Sequence, residues 1–216
     1  EKALAKLTKT VVTTGPDGQS QTTVIDRRRV VGNFGYDLTF TLPKSYSVLM
    51  AFVDESTARK VEDQLEAKIL DTFGWIEENT CYGMRGKHGG GKTASKVRGS
   101  GFVGWSMVHR AARPVGGAVA GDPHWHMHLS IANMTKGEDG QWSTVAAGGR
   151  DLMRHAAAAD HAMQALARDA LSREFGVRFA MNERTGVWEV EHIPDALLRA
   201  FSKRGSSIKS LLSDLG

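Results

Sequence analysis

Histidines stand at positions 124, 126 and 128 of the stretch Asp122-Pro-His-Trp-His-Met-His-Leu-Ser-Ile-Ala-Asn-Met134. On a strand, alternation puts all three imidazoles on one face and Trp125, Met127 and Leu129 on the other. Neutral imidazole binds zinc, manganese, nickel or copper well, and strand neighbours at i and i+2 are close enough to share one ion. The ends of an i to i+4 span lie about 13 Å apart by strand rise, so a third ligand has to come from another element. His109, at the end of the preceding apolar segment, is the candidate if that segment pairs with the histidine strand. His155 and His161, six residues apart on a helical stretch, do not share a face and read as structural.

Cys81 is the single cysteine, which excludes an internal disulfide and a thiolate-rich zinc site. A metal would therefore be held by histidine and carboxylate. Asp37 is the carboxylate of interest, because a strand over Gly35 to Leu42 turns it to one face with Thr39 and Thr41, opposite Tyr36, Leu38, Phe40 and Leu42. There it can take the free ring N–H of a ligating histidine and fix its tautomer. An ordinary polar residue on a half-exposed strand has the same pattern, and spacing alone does not decide.

A second pattern, Gly86-Lys-His-Gly-Gly-Gly-Lys92-Thr93, matches the G-x-x-x-x-G-K-T phosphate loop letter for letter. That loop needs a buried strand before it and a long amphipathic helix after it. Cys81 to Arg85 is short and polar-flanked, and Thr93-Ala-Ser-Lys-Val-Arg-Gly99 does not open such a helix. A basic loop lying over nucleic acid fits the composition better.

Charge points the same way. The net charge is only +4, but no Asp or Glu falls between Asn79 and Gly121. This basic, glycine-rich loop region suggests a polyanion partner, against the plainer account of a solvated loop with incidental charge.

With 216 residues and 41% apolar content the chain can bury one sizeable core, and a single domain over residues 1–216 is expected. No apolar run approaches the roughly 18 residues of a membrane span, and no signal-peptide pattern is present, so a cytoplasmic location is expected. The chain opens at Glu1 rather than Met and reads as a fragment.

The elements that must carry these residues follow from periodicity. Thr/Val-rich segments between residues 7 and 31 flank a turn at Gly15-Pro-Asp-Gly18. Pro43 ends the Asp37 strand, and Val48 to Val53 fits either helix or strand. From Asp54 to about Asn79, Val61, Leu65, Ile69, Phe73 and Ile76 form one helical stripe, with Asp54 or Ser56 as N-cap. A strand over Gly101 to Val108 runs into His109. The histidine strand, Pro123 to Met134, forms a hairpin with Trp142 to Val145. A second helix over 151–175, apolar at Leu152, Met153, Met163, Leu166, Ala170 and Leu171, stops at Gly176. A hairpin over Val177 to Val190 and a helical region from Pro194 follow. Together these predict an α+β fold, a central, mostly antiparallel sheet with helices packed on its face.

Two of these stretches carry a resemblance. Gly35-Tyr-Asp-Leu-Thr-Phe-Thr-Leu-Pro-Lys-Ser-Tyr-Ser-Val48 and Asp122-Pro-His-Trp-His-Met-His-Leu-Ser-Ile-Ala-Asn133, in that order, resemble the catalytic domain of conjugative relaxases of the MobF class, within the HUH endonucleases. The resemblance runs from about Arg27 onward and includes Gly149-Arg-Asp-Leu-Met-Arg-His155 and Ala200-Phe-Ser-Lys-Arg204. The family pattern Asp-Pro-x-apolar-His-x-His makes His126 and His128 the paired ligands, His109 the upstream ligand and His124 a variable position. Asp37 falls on the acidic residue that orients a ligating histidine. Pro114 to Gly121 reads as an insertion between the ligands.

What the resemblance implies is transesterification on single-stranded or hairpin transfer-origin DNA. A divalent ion, magnesium or manganese in use with zinc or nickel also accepted, polarises the scissile phosphate while a tyrosine attacks in line. The 5′ end is left as a phosphotyrosine and a 3′-hydroxyl is freed. Arg27, Arg28, Lys44, Lys92, Lys96, Arg98 and Arg113 are the expected phosphate contacts. A monomer in the bacterial cytoplasm, a secretion-channel coupling machinery as partner and a following helicase are also implied.

One departure stands out. The family's attacking tyrosines lie near the N-terminus, whereas the tyrosines here are Tyr36, Tyr46 and Tyr82. The nucleophile is expected to lie upstream of Glu1. A non-catalytic DNA-binding module and a hydrolase using water with Asp37 as base are the rival readings.

Overall fold

The structure, a computed structural model, describes residues 8–14, 18–26, 33–86, 93–116, 118 and 120–215. The chain forms two compact units, residues 1–34 and 35–216. The first holds an antiparallel hairpin of β1 (Thr8–Thr14) and β2 (Ser20–Asp26), with Thr14 opposite Ser20. The turn expected at Gly15 falls mostly on residues 15–17, outside the described residues.

The second unit is built on a five-stranded antiparallel sheet. Its strands are β3 (Gly35–Thr41), β4 (Tyr82–Arg85), β5 (Ser95–Ala111), β6 (Pro123–Gly137) and the short β7 (Trp142–Ser143). They run in the order β3-β6-β5-β4, with β7 also paired to β6. The sheet's buried face packs against α1 (Lys44–Phe52), α2 (Glu55–Thr80) and α3 (Arg150–Phe175). A small hairpin of β8 (Phe179–Asn182) and β9 (Val187–Val190) and the helices α4 (Asp195–Ala200) and α5 (Lys203–Leu215) complete the unit.

Period-2 alternation fixes which face each strand buries. Tyr36, Leu38 and Phe40 of β3 and Trp125, Met127, Leu129 and Ile131 of β6 all point into the core. Residues 48–53, open to two readings in the sequence, continue the helix α1 as far as Phe52. Asp54 caps α2 by accepting the Thr57 N–H at 3.0 Å, and Val61, Leu65, Ile69 and Ile76 form its buried stripe. Gly176 ends α3 in the left-handed conformation, with φ of 66°.

Four expectations need correction. Met153 and Leu166 are 49% and 43% exposed, because the buried phase of α3 runs through Leu152, Ala159, Met163, Ala167 and Leu171. Much of the basic glycine-rich region is not loop, since β5 begins at Ser95 and its first turns pair with β4. The second strand of the β6 hairpin stops at Ser143, and Val145 instead bridges Gly83 and donates its N–H to Asn133. Pro194, where the helical region was expected to begin, is the N-cap of α4, which starts one residue later at Asp195.

One buried carboxylate ties the layers together behind the histidines. Glu62 of α2, 8% exposed, accepts the Trp125 indole N–H at 2.8 Å and two N–H groups of Arg110 at 2.8 and 2.6 Å. It thereby grips β6 between His124 and His126 and β5 one residue after His109. From the other side, the Ser47 hydroxyl of α1 accepts the Trp125 backbone N–H at 2.8 Å. Glu62→Ala leaves the buried indole N–H and the guanidinium without their acceptor, and a loss of about 2–4 kcal/mol in urea unfolding is expected. Glu62→Gln, which can still accept from the indole, should lose distinctly less.

Candidate functional site

The exposed face of the sheet brings the predicted histidines together. His109 of β5 lies directly opposite His126 of β6 in the antiparallel register. Ring centroids are 5.0 Å apart for His109 and His126, 5.1 Å for His109 and His128, and 5.1 Å for His126 and His128. One nitrogen from each of the three rings falls within 4.8 Å of the others, a spread that one ion can bridge.

Two of the rings are turned by bonds to their other nitrogen. Nδ1 of His128 donates to Oδ2 of Asp37 at 2.8 Å, which ties that side of the ring to the carboxylate and leaves Nε2 as the nitrogen available to a metal. Thr39, on β3 with Asp37 and opposite His128, donates its hydroxyl to the same Asp37 oxygen at 3.3 Å and lies 3.2 Å from His128 Nδ1. Nδ1 of His126 meets the backbone oxygen of His124 at 2.9 Å. Asp37 therefore braces the His128 ring and is not among the residues whose donor atoms gather. The donor set, three imidazoles of which those of His126 and His128 are held from behind, suits a first-row divalent ion with positions left open for other ligands.

His124 stands apart from the cluster but stacks on His126, with centroids 4.8 Å apart and planes at 29°. Burial, and then the charges of His126, Lys44 and Arg204, hold its pKa below the ordinary imidazole range. Lys44 is close by and donates from Nζ to the Pro123 oxygen at 2.7 Å. Its pKa is also lowered by burial, an effect that Asp122 partly offsets.

The remaining predicted phosphate contacts are scattered. Arg27, Arg28 and Lys92 lie outside the described residues. Lys96 pairs with Asp151 at 2.6 Å, and Arg98 packs on the Tyr82 ring 5.6 Å from its centroid. Arg113 is exposed in the segment after β5. Other cations of the acid-free window are also matched from a distance, Arg85 by Asp139 and Arg110 by Glu62. Three cations of the window, Arg85, Lys96 and Arg110, are thus paired with acids from elsewhere in the chain. Gly86 to Thr93 connects two strands, β4 and β5, with no helix following, which removes the phosphate-loop reading.

The tyrosines are equally well placed by the fold. Tyr36 is buried and donates its hydroxyl to Asn133 at 3.1 Å. Tyr46 is buried against Phe179, and burial pushes its phenol pKa up. Tyr82 pairs with Arg98, eleven residues from His109 on β5 and so roughly 35 Å away along that strand.

Two side chains on the same sheet face went unnoticed in the sequence. Trp105 and Met107 precede His109 at i−4 and i−2 and are 63% and 48% exposed. Strand alternation from His109 was the available signal. They lie opposite Ser130 and His128 of β6.

Comparison with known proteins agrees with this geometry. The family model described as TrwC relaxase matches residues 3–215. A solved structure of the conjugative relaxase TrwC with oriT DNA and copper bound superposes with a TM-score of 0.70 at 22% identity, over 94% of this chain and 59% of that one. TrwC complexed with a 27-mer DNA comprising the recognition hairpin and the cleavage site gives 0.69 at 23% identity, over 94% and 62%. The chain thus spans about 60% of the length of the structures it matches. No curated protein sequence matches it.

Removing the Asp37 carboxylate should weaken the grip of the triad without dismantling it. Asp37→Ala is expected to lower nickel affinity about 10- to 100-fold in calorimetric titration, with the fold intact by circular dichroism.

Proposed function

The chain belongs to the TrwC relaxase family, and from that premise we propose that it nicks one DNA strand at a plasmid transfer origin. The observation that carries this reading is the convergence of His109, His126 and His128, braced by Asp37, on an open sheet face. An open face suits a single strand, whose scissile phosphate must approach the ligands end-on, better than an enclosed pocket would.

The residues divide the work as follows. His109, His126 and His128 hold a divalent ion, which when bound polarises the scissile phosphate and offsets charge in the transition state. Asp37 and Thr39 keep the His128 ring in the orientation and tautomer that this requires. Lys44 and His124, beside His126, receive the phosphodiester backbone next to the triad, and Arg113, exposed after β5, is a further expected phosphate contact. Lys96 and Arg98, at the far end of β5, contact more distant phosphates. Arg27, Arg28 and Lys92 remain expected phosphate contacts.

A tyrosine attacks the phosphorus, forming an O–P bond to the 5′ phosphate while the bond to the 3′ oxygen breaks and that oxygen leaves as a hydroxyl. Tyr36, Tyr46 and Tyr82 are buried or remote, so none of them is the nucleophile in this reading. Manganese or magnesium is the working ion, the partner DNA is single-stranded or hairpin, and the protein acts as a cytoplasmic monomer that delivers its strand to a secretion machinery.

Two measurements test the assignment. His126→Ala combined with His128→Ala should abolish metal uptake and strand nicking in the full-length protein, while DNA affinity falls less than about tenfold; unchanged metal content would mean the ligand set is wrong. After reaction with an oligonucleotide spanning the nick site, peptide mass spectrometry should find the DNA adduct on a tyrosine other than Tyr36, Tyr46 and Tyr82. Backbone contacts should further appear as a fall of log affinity with log salt, and Arg113→Ala should shallow that slope by about 0.7.

A further inference from the structure

The three histidines occupy three corners of a square. Along the sheet, His109 lies opposite His126, and the next pair on the same face is Met107 opposite His128. The fourth corner is therefore a methionine. Side chains at such cross-strand and i to i+2 positions all project to one side, with neighbouring Cβ atoms about 5–7 Å apart, a spacing that lets four long side chains meet above the centre.

Met107 does not behave like a residue placed there for packing. It is 48% exposed on the open face, whereas the core lies beneath Val108 and Met127. Its Sδ stands 3.0 Å from Nε2 of His109. That nitrogen belongs to the ring whose donor atom gathers with those of His126 and His128. A sulfur this close to one ligand, and directly across from another, is within reach of any ion the three imidazoles hold.

The thioether changes which ions the site prefers. It is a soft, uncharged and polarisable donor that contributes little to magnesium or manganese, whose open positions are then left for water and phosphate oxygen. Toward copper(I), three imidazoles and one thioether form a closed four-coordinate set.

We infer that Met107 is a fourth, soft ligand that gives this centre a second binding mode, a closed copper(I) site competing with the open site used for phosphate. The inference rests on the reading of His109, His126 and His128 as metal ligands. In its open mode the centre takes a hard divalent ion and the DNA phosphate together; in its closed mode the sulfur fills the position that the phosphate would need. Copper(I) is therefore an inhibitor by exclusion as well as a ligand.

The experiment compares the wild-type chain with Met107→Leu, a near-isosteric change at an exposed position, and with His126→Ala. Copper(I) affinity is measured anaerobically by competition with a chromophoric copper(I) chelator, and cobalt(II) affinity by its visible spectrum. Met107→Leu is expected to lose tenfold or more in copper(I) affinity while cobalt(II) affinity stays within twofold. X-ray absorption of the copper-loaded wild type should contain a copper–sulfur shell that Met107→Leu lacks. His126→Ala should lose both ions. Equal copper(I) affinity in wild type and Met107→Leu, or the absence of the sulfur shell, would overturn the fourth-ligand inference while leaving the triad standing. A wild-type chain that takes up neither ion would remove the triad, and this inference with it.

Discussion

The register between β5 and β6 is the constraint on which the rest of this molecule depends. His109 faces His126 because the two strands are paired at that residue. Side chains alternate with a period of two, so a slip of a single residue would send His109 toward the core and bring Val108 or Arg110 to the open face. The register is irregular on both sides of the site, with shifts between Gly99 and Gly104 and again between His109 and Ala111. The hydrogen-bond ladder alone therefore does not enforce it over the whole strand. Glu62 holds it from below, through Arg110 on one strand and Trp125 on the other, each adjacent to a ligand.

This arrangement explains why so many of the site's determinants are not themselves at the site. Trp125 is counted among the largest fully buried side chains, yet its backbone N–H goes to Ser47 and its indole to Glu62. The strand β3 reaches only as far as Thr41, opposite His126, and beyond that point α1 takes over the edge of β6 by side-chain bonding. A similar economy appears at Gly149, whose φ of 72° and close approach to the Tyr36 ring leave no room for a Cβ. That glycine lets α3 begin directly over the strand that carries Asp37.

Much of this was legible in the residues. Alternation in Tyr36 to Leu42 and in Trp125 to Leu129 announced both strands and their faces, because a half-buried strand has to alternate. The stripe from Val61 to Ile76 and the Asp54 cap did the same for α2. What failed had physical causes of its own. The acid-free window suggested a polyanion partner, in keeping with the family match, but which of its cations are free was not legible, because Asp139, Asp151 and Glu62 pair with Arg85, Lys96 and Arg110 from distant parts of the chain. Met153 and Leu166 were misjudged because apolar type was weighed over helical phase, while the alanines that carry the true stripe of α3 look unremarkable in composition. Met107 was overlooked because alternation from His109 gives only its face, and its place beside the histidines follows from the cross-strand register with His128.

The ligands sit on paired strands rather than on loops, and this has a thermodynamic consequence. Strands β3 and β5 both bond to β6 along the stretch that bears His126 and His128. The geometry of the imidazoles is consequently paid for by backbone pairing and burial in the core, independently of whatever occupies the centre. Under the proposed function, ion and DNA strand can then arrive in either order, their binding forming a closed cycle in which neither event waits for the other to fold the site.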